Sequence, residues 1–512
     1  MANTKPDQSA ARDAASDTVR ALLAAGSVEP ALLTVSGSSI DHIALRDQVE
    51  RLAGQLRNLG LGPRDRIAIV LDNGPAMAIA LLAVMATGCA APLNPKYRED
   101  EYRFYLDDLR ASAMITADGI ASAARVAAPR DTLIVEMRGD DLSIHFEAPS
   151  IDRPPAPAAT AEPNPEDYAL VLHTSGTTSR PKIVPLRQRN LARSARNIAT
   201  SLQLTAADRS LNVMPLFHIH GLMAGLLAPL SVGASAACTT GFDAFKFHHW
   251  IDELRPTYYS AVPTMHQMVL ARAPGPRPTT LRFVRSSSAS LPRPVYASLR
   301  ELFSVPVIEA YGMTEASHQM TSNPLPPRPA KPGSVGIAAG IEVAVLDSHN
   351  AVLPAGQRGE VSIRGATIID GYESNPSANA AAFTDGWFRT GDEGVLDQDG
   401  YLFLTGRLKE QINRGGEKIS PIEIDEVLLG HPAVTDAVTF AIAHDKLGEE
   451  VGAAVVLADG HEATERELRA YLGEHLAPFK VPRQIVFLGE IPKGATGKLQ
   501  RIGLAERLGL GA

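Results

Sequence analysis

The stretch Arg66-Ile-Ala-Ile-Val-Leu71, continued by Asp72-Asn-Gly-Pro75 and the uncharged run from Ala76 to Leu93, decides the fold class. A short apolar run rich in branched residues and closed by turn formers reads as a buried strand. Asp72-Asn-Gly-Pro75 reads as a helix start and Gly88 as a helix stop. A helix of ~13 residues is ~20 Å long, short of the ~30 Å hydrocarbon core of a bilayer. The run is also rich in alanine, so a buried helix is expected rather than a membrane span. Arg46 to Leu59 reads as an amphipathic helix, and Ala90–Leu93 and Ala113–Thr116 as further short strands. Strands alternating with helices over 40–135 predict parallel βαβ units.

Working outward, a segment carrying Pro149, Pro154, Pro155, Pro157, Pro163 and Pro165 is expected to be a connector, because proline interrupts both helices and central strands. A second αβ run is expected over about 168–320, closed by the prolines between Pro324 and Pro332. From Gly336 to about Leu404 the pattern changes to short alternating strands separated by Gly and Asp turns. Glu342-Val-Ala-Val-Leu346 and Gly359-Glu-Val-Ser-Ile-Arg364 are examples, and they predict a small antiparallel β unit. The remainder reads as a compact α+β module. The sequence holds no internal repeat.

Composition bounds the function. The 512 residues are 45% hydrophobic and 21% charged, ordinary for a folded globular chain, which excludes a disordered, coiled-coil or collagen-like protein. At −8, the formal net charge argues against a general nucleic-acid binder. Two cysteines, Cys89 and Cys238, are too few for a disulfide scaffold or a cysteine-rich zinc site. They fit a reducing compartment, so a cytoplasmic location is expected. Residues 1–18 lack an apolar segment, and no secretory signal is expected there.

The strongest local signal is Leu172-His-Thr-Ser-Gly-Thr-Thr-Ser-Arg-Pro-Lys182, directly after a strand-like run from Tyr168. Backbone N–H groups of a tight glycine-containing loop, with several hydroxyls and a lysine, suit a polyphosphate. By itself the segment also reads as a flexible Ser/Thr loop. It is not a Walker loop, since no Gly-Lys-Ser/Thr ends it. Tyr311-Gly-Met-Thr-Glu315 combines an aromatic face, a hydroxyl and a carboxylate, a set that fits adenine, phosphate and Mg²⁺. Alone it would pass for a turn. His218 and His220 would share one face of a strand, but no cluster of further ligands accompanies them, so a metal site is not expected there.

These segments resemble the adenylate-forming superfamily of acyl-CoA synthetases, luciferases and peptide-synthetase adenylation domains. The resemblance extends in order through Pro215-Leu-Phe-His-Ile-His-Gly221, Tyr311–Glu315, Thr390-Gly-Asp392, Gly406-Arg-Leu-Lys-Glu410, Gly415-Gly-Glu-Lys418 and Pro492-Lys-Gly-Ala-Thr-Gly-Lys498. It implies an α/β fold: a large N-terminal domain (1–407) of αβ subdomains with a small β-barrel-like subdomain, then a small mobile α+β domain (408–512). It implies ATP and CoA as co-substrates, Mg²⁺ as cofactor, and small molecules rather than nucleic acid or membrane as partners. An ATP/AMP site is implied at Thr174, Ser175, Gly176, Thr177, Thr178, Lys182, Ser288, Ala289, Glu309, Ala310, Tyr311, Gly312, Asp392 and Arg407. Asp392 would grip the ribose, assisted by Arg407, and Glu315 with Thr178 would hold Mg²⁺. Catalytic roles are implied for Lys498, Glu315, Thr314 and His218, a hinge at Lys409, and a thiol tunnel at Gly415, Gly416 and Glu417. His220 is expected to be structural. Ile183 departs from the family's glycine. A β-branched residue is costly at φ > 0, so a local difference in backbone is expected, as is some change in the reach of Lys182.

The implied reaction joins a carboxylic acid to a thiol through an acyl-adenylate, releasing AMP and pyrophosphate. No carrier domain is evident, so CoA is the expected thiol. Arg285-Ser-Ser-Ser-Ala-Ser-Leu291 carries hydroxyls where relatives acting on aryl or fatty acids tend to carry Gly and Ala, and His318 follows Glu315 closely. A pocket of His218, Ser287, Ser288 and His318 would be costly against an alkyl tail and useful against a second carboxylate. The run Ala310–Pro324, with Arg407–Pro421 and His218-Ile-His-Gly, resembles oxalate–CoA ligases, so oxalate or another very short acid is expected. The alternatives are a medium-chain or coumarate-type CoA ligase, an inactive nucleotide-binding regulator, and a kinase, which would release ADP.

Overall fold

In the computed structural model the helix from Pro75 to Met85 lies between two sheets. It packs on the strands Arg66–Val70 and Cys89–Pro92 of one sheet and on Ser235–Cys238 of the other. All of its residues but Ala76 are buried, which explains why its sequence is apolar on every face. No helix among the described residues is long and apolar enough to cross a membrane. The structure describes residues 17–24, 26–120, 122–148, 159–174, 181–276, 278–492 and 501–510.

Among these residues the first sheet has seven strands, in the order Ile144–Glu147, Leu133–Gly139, Ala113–Ala117, Arg66–Val70, Cys89–Pro92, Tyr168–Thr174, Lys182–Arg187. Its central pairs are parallel, as the alternation over 40–135 predicts. The amphipathic helix runs His42–Asn58, with the Asp41 carboxylate accepting from Ala44 N–H at 2.7 Å as its N-cap. The second sheet has nine strands and runs from Ile337–Ala338 through His318–Ser322, Val307–Met313, Phe283–Ser287, Tyr258–Ala261, Arg209–Asn212 and Ser235–Cys238 to Pro30–Leu33 and Ser39–Asp41.

The sheet boundaries differ from the expected runs. Tyr168–Thr174 and Lys182–Arg187, expected to open the second unit, complete the first sheet as an antiparallel hairpin joined to Cys89–Pro92. The second sheet instead recruits Pro30–Leu33, parallel to Ser235–Cys238, from far away in the chain. Long-range pairing of this kind leaves no periodic signal in the sequence. The proline-rich connector falls partly outside the described residues, and 159–165 carries no regular element.

The third sheet is antiparallel and has five strands: Glu342–Leu346, Arg358–Arg364, Trp387–Leu396, Phe383–Thr384 and Leu402–Arg407. A fourth sheet begins at Ile412–Arg414, five residues past Arg407. It pairs the long strands Val434–His444 and Gly448–Leu457, and with helices Pro421–Leu429 and Glu465–His475 it encloses a separate apolar cluster around Ile412, Ile424 and Leu472. The molecule is thus a mixed α/β protein with a large N-terminal part and a small α+β C-terminal part.

Both thiols are buried, and burial pushes each up to about 12. Gly88 follows the central helix by three residues, donating to Val84 O at 2.7 Å. Its backbone is not left-handed; glycine is needed there because a Cβ would meet Gly62 O at 2.6 Å and Asp65 O at 2.8 Å. Gly88→Ala is therefore expected to destabilise the fold by about 1–3 kcal/mol. Chemical denaturation checks this, and an unchanged midpoint would contradict it.

Candidate active site

Most of the chemistry-bearing side chains lie at or just past the carboxyl ends of parallel strands, where open α/β sheets place their ligand crevices. Thr174 ends its strand, Ser287 ends Phe283–Ser287, and Tyr311-Gly-Met closes Val307–Met313. Thr314–Ala316 then makes one 3₁₀ turn, and the chain returns antiparallel as His318–Ser322. Tyr311–Glu315 is therefore half strand and half turn. Gly312 is dictated by that return, since a Cβ there would stand 1.9 Å from His318 O.

The turn carries strain and is clamped. Ser317 (φ 54°) and His318 (φ 93°) lie in the positive-φ region, as does Ser288 (φ 75°) just past the strand Phe283–Ser287. Such residues cost about 1–3 kcal/mol each and persist where their surroundings over-determine them. Here Ser194 Oγ donates to Ser317 O at 2.6 Å, Ser317 Oγ donates to Thr367 O at 2.7 Å, and Ile369 N–H donates to Glu315 O at 2.9 Å.

Asp392 lies on Trp387–Leu396 directly opposite Arg407 on Leu402–Arg407. Its carboxylate is buried and receives Arg407 Nε at 2.8 Å on one oxygen and the Tyr311 hydroxyl on the other. Burial, and then the Asp392 charge, pushes the Tyr311 phenol up; Asp392 in turn raises the Arg407 guanidinium. This cluster joins the second sheet to the third at the residue where the third sheet ends.

Thr174 and Lys182 face each other across the hairpin that bears the Ser/Thr loop. Ile183, paired with His173, is an ordinary extended strand residue, so a β-branched side chain fits without strain. Lys182 Nζ sits 4.2 Å from the centre of the Tyr372 ring, and the Tyr372 hydroxyl donates to Glu315 Oε1 at 2.9 Å. Burial lowers the Lys182 ammonium below its usual value; the Glu315 charge opposes this, and Lys409 adds to it. The charges of Glu315 and Lys409 thus both act on Lys182. Nothing in the sequence marks Tyr372 as part of this site. Its sequence context, Asp370-Gly-Tyr372, is an unremarkable turn.

Behind His318 lies a polar cluster. His220 is stacked on His318 with ring centroids 4.8 Å apart. His220 Nε2 is 2.7 Å from Ser260 Oγ, and its Nδ1 is 3.2 Å from Ser288 Oγ. Ser287, whose Oγ donates to Ala310 O at 2.9 Å, is turned to the backbone instead. His218 is half-buried against Phe217. The buried residues Ser260, Arg285 and Gln319, absent from the expected pocket, complete the cluster.

Of the other expected site residues, Ala289 is exposed and Ala310 is buried in the strand. Glu309 is buried and turns its carboxylate to Gly333 N–H at 3.0 Å. Gly415 and Gly416 form the exposed turn between Ile412–Arg414 and Glu417–Ile419, the exposed Glu417 opens the second strand, and Gly415 N–H donates to Leu447 O at 2.8 Å. Both glycines have positive φ, at 60° and 98°. Ser175, Gly176, Thr177, Thr178 and Lys498 lie outside the described residues.

Comparison with known proteins places the chain in a family. A family model described as AMP-binding enzyme matches residues 24–373, and one described as AMP-binding enzyme C-terminal domain matches 423–498. The chain is 44% identical over 485 residues to an oxalate–CoA ligase of Arabidopsis thaliana, covering 92% of this chain and 94% of that one. It is 43% identical over 471 residues to an oxalate–CoA ligase of Saccharomyces cerevisiae, covering 86% and 87%. Among solved structures, the ATP-bound MatB of Rhodopseudomonas palustris superposes with a TM-score of 0.84 at 28% identity, covering 96% of this chain and 98% of that one.

The buried Glu309 yields a pH prediction. Burial raises its carboxyl to about 7, opposed by the Gly333 and Leu291 N–H groups. A folded-state value above the unfolded one favours the protonated form, so this contribution to stability is full below about 4.5 and is lost as pH rises through 7. Glu309→Gln, which stays neutral, should therefore gain in melting temperature relative to the parent between pH 5 and pH 8. Equal differences at both pH values would contradict this.

Proposed function

This chain belongs to the AMP-binding enzyme family and is an ATP-dependent, AMP-forming carboxylate–CoA ligase; from that premise we propose that oxalate is the acid it activates. ATP and CoA are its co-substrates. In the first half-reaction an oxygen of the acid attacks the α-phosphorus of ATP. The bond from that phosphorus to the bridging oxygen breaks, and pyrophosphate leaves. In the second, the CoA sulfur attacks the acyl carbon, the bond to AMP breaks, and the thiol proton passes to solvent.

The observation that carries the choice of acid is the hydrogen-bonded cluster of His220, Ser260, Ser288 and His318 immediately behind the Thr314–Ala316 turn. An alkyl or aryl tail entering there would strip these groups of partners, at a cost of about 1–3 kcal/mol for each one left unsatisfied. A two-carbon diacid instead brings acceptors for them. The oxalate–CoA ligases of plant and yeast among its relatives support the same reading.

The proposed division of labour follows from charge. Ser175 to Thr178 and Lys182 receive the β- and γ-phosphates, and Thr314 receives the α-phosphate. Asp392, held by Arg407, receives the ribose hydroxyls beside Tyr311. Ser288, Ala289, Ala310 and Gly312 flank the nucleotide with backbone. Glu309, facing Gly333, stands outside that set. His218 lies beside the reacting carboxylate. Lys498 bridges the two anions as they approach, which lowers the cost of the developing charge. Its placement on the C-terminal part, beyond the Lys409 pivot, allows its withdrawal before Gly415, Gly416 and Glu417 line the thiol's path. The buried Glu315 carboxylate, a hard oxygen donor already oriented by Tyr372, fits Mg²⁺. With Thr178 it would hold that ion, which supplies neutralisation of the phosphate charge. The two buried thiols fit a cytoplasmic setting.

A panel of acids tests the proposal, with pyrophosphate and AMP release read with and without CoA. Oxalate should give the highest kcat/KM, with AMP and not ADP as product. A medium-chain fatty acid or coumarate turned over faster than oxalate would overturn it.

A further inference from the structure

Arg285 occupies the middle of the nine-stranded sheet, on Phe283–Ser287, with Ser260 and Ile308 as its register partners. Among the described residues it is the largest fully buried side chain, with no exposed surface. Its Nη1 donates to Ser260 Oγ at 2.9 Å and lies 3.4 Å from His220 Nε2. Its Nη2 donates to Gln319 Oε1 at 3.0 Å and lies 3.3 Å from His318 Nε2. The Nε has no partner among the described residues. These partners are hydroxyl, amide and imidazole groups, and among the described residues no aspartate or glutamate pairs with it. Burial pulls the guanidinium down to about 10, opposed by the Tyr258 phenol, so it remains a cation at neutral pH.

A buried charge without a counter-ion costs several kcal/mol even after relaxation. Nothing in the fold requires it: the neighbouring strand residues Val284 and Ser286 are equally buried and carry no charge. The arrangement of its partners shows where its field is directed. A guanidinium only donates, so His220 Nε2 and His318 Nε2 accept, and each ring carries its proton on Nδ1. For His220 that proton faces Ser288 Oγ, on the half-buried rim of the crevice. The chain Arg285, His220, Ser288 therefore ends in a polarised hydroxyl beside the Thr314–Ala316 turn, and His318 stacks alongside.

We propose that Arg285 is the specificity-determining countercharge of the acid pocket: it positions His220, His318 and Ser288 as donors and makes the pocket select short acids that carry a second anionic group. This rests on the ligase reading above and deepens it to a residue. The missing counter-ion of Arg285 is the distal carboxylate of the substrate, brought in with it and held through the imidazoles and the serine hydroxyl. Before substrate enters, the partners of the cation among the described residues are hydroxyl, amide and imidazole groups. A monoanionic acid of the same size satisfies the reaction centre but leaves the countercharge unmet.

The test compares oxalate with glycolate, a monoanion of similar size, by pyrophosphate release in the parent enzyme, Arg285→Met, Arg285→Lys and Ser288→Ala, with AMP binding as the control for folding. The ratio of kcat/KM for oxalate to that for glycolate should fall roughly 100-fold in Arg285→Met, mainly through KM for oxalate, as expected for loss of a charged, desolvated partner. Arg285→Lys should restore part of the ratio. Ser288→Ala, at the rim, should lower it roughly tenfold and keeps the test open if Arg285→Met does not fold. Equal loss for both acids, with no rescue by lysine, would overturn the inference while leaving oxalate as the substrate. A parent enzyme inactive on oxalate but active on sulfoacetate, with that activity lost in Arg285→Met, would sink oxalate and leave the inference standing.

Discussion

The carboxylate of Asp392 is the contact on which the rest of the site depends. One oxygen takes the Tyr311 hydroxyl from the nine-stranded sheet, and the other takes Arg407 Nε from the last strand of the antiparallel sheet. It is buried, so both bonds act in a medium where charge-assisted contacts are strong and an unpaired carboxylate would be costly. The position of Tyr311 sets the turn that follows it, and that turn sets Glu315 on one side and His318 on the other. Arg407 is the residue at which the third sheet ends, and Lys409, two positions on, lies near enough to Lys182 to act on its charge. A shift of Asp392 would therefore be felt at Glu315, His318 and Lys409 together.

Two kinds of charge meet across this frame. Lys182 and Arg407 each have a carboxylate acting on them, Glu315 and Asp392 respectively, and in the proposed reading they meet polyphosphate and ribose. On the side of the proposed acid pocket the buried Arg285 guanidinium stands among hydroxyl, amide and imidazole groups. The contrast explains how a chain of net charge −8 handles three anionic reactants. At Arg285 positive charge is placed in fully buried surroundings, where it is worth more than on a solvated surface.

Much of this was legible in the sequence, for identifiable reasons. The parallel αβ core could be read because Arg66–Val70 and the apolar Pro75–Met85 are continuous in the chain. The Tyr311–Glu315 and Thr390–Asp392 segments could be read because their chemistry is linear, each carrying several functional atoms within five residues. What escaped depends on tertiary contact. The pairing of Pro30–Leu33 with Ser235–Cys238 spans two hundred residues. Tyr372 matters only because the fold lays it under Lys182 and against Glu315. Arg285 was visible as a letter in a serine-rich run, but an arginine in a strand gives no sign that its burial will be complete or its partners neutral. Glu309 reads as part of a nucleotide motif, and only its environment reveals that it turns to Gly333 instead.

The central claim is that an oxygen of oxalate attacks the α-phosphorus of ATP. Turnover of oxalate labelled with heavy oxygen, with ATP and CoA present and the products read by mass spectrometry, tests this most directly. The prediction is one labelled oxygen in each AMP and none in pyrophosphate. Label in pyrophosphate or phosphate, or ADP in place of AMP, would contradict it.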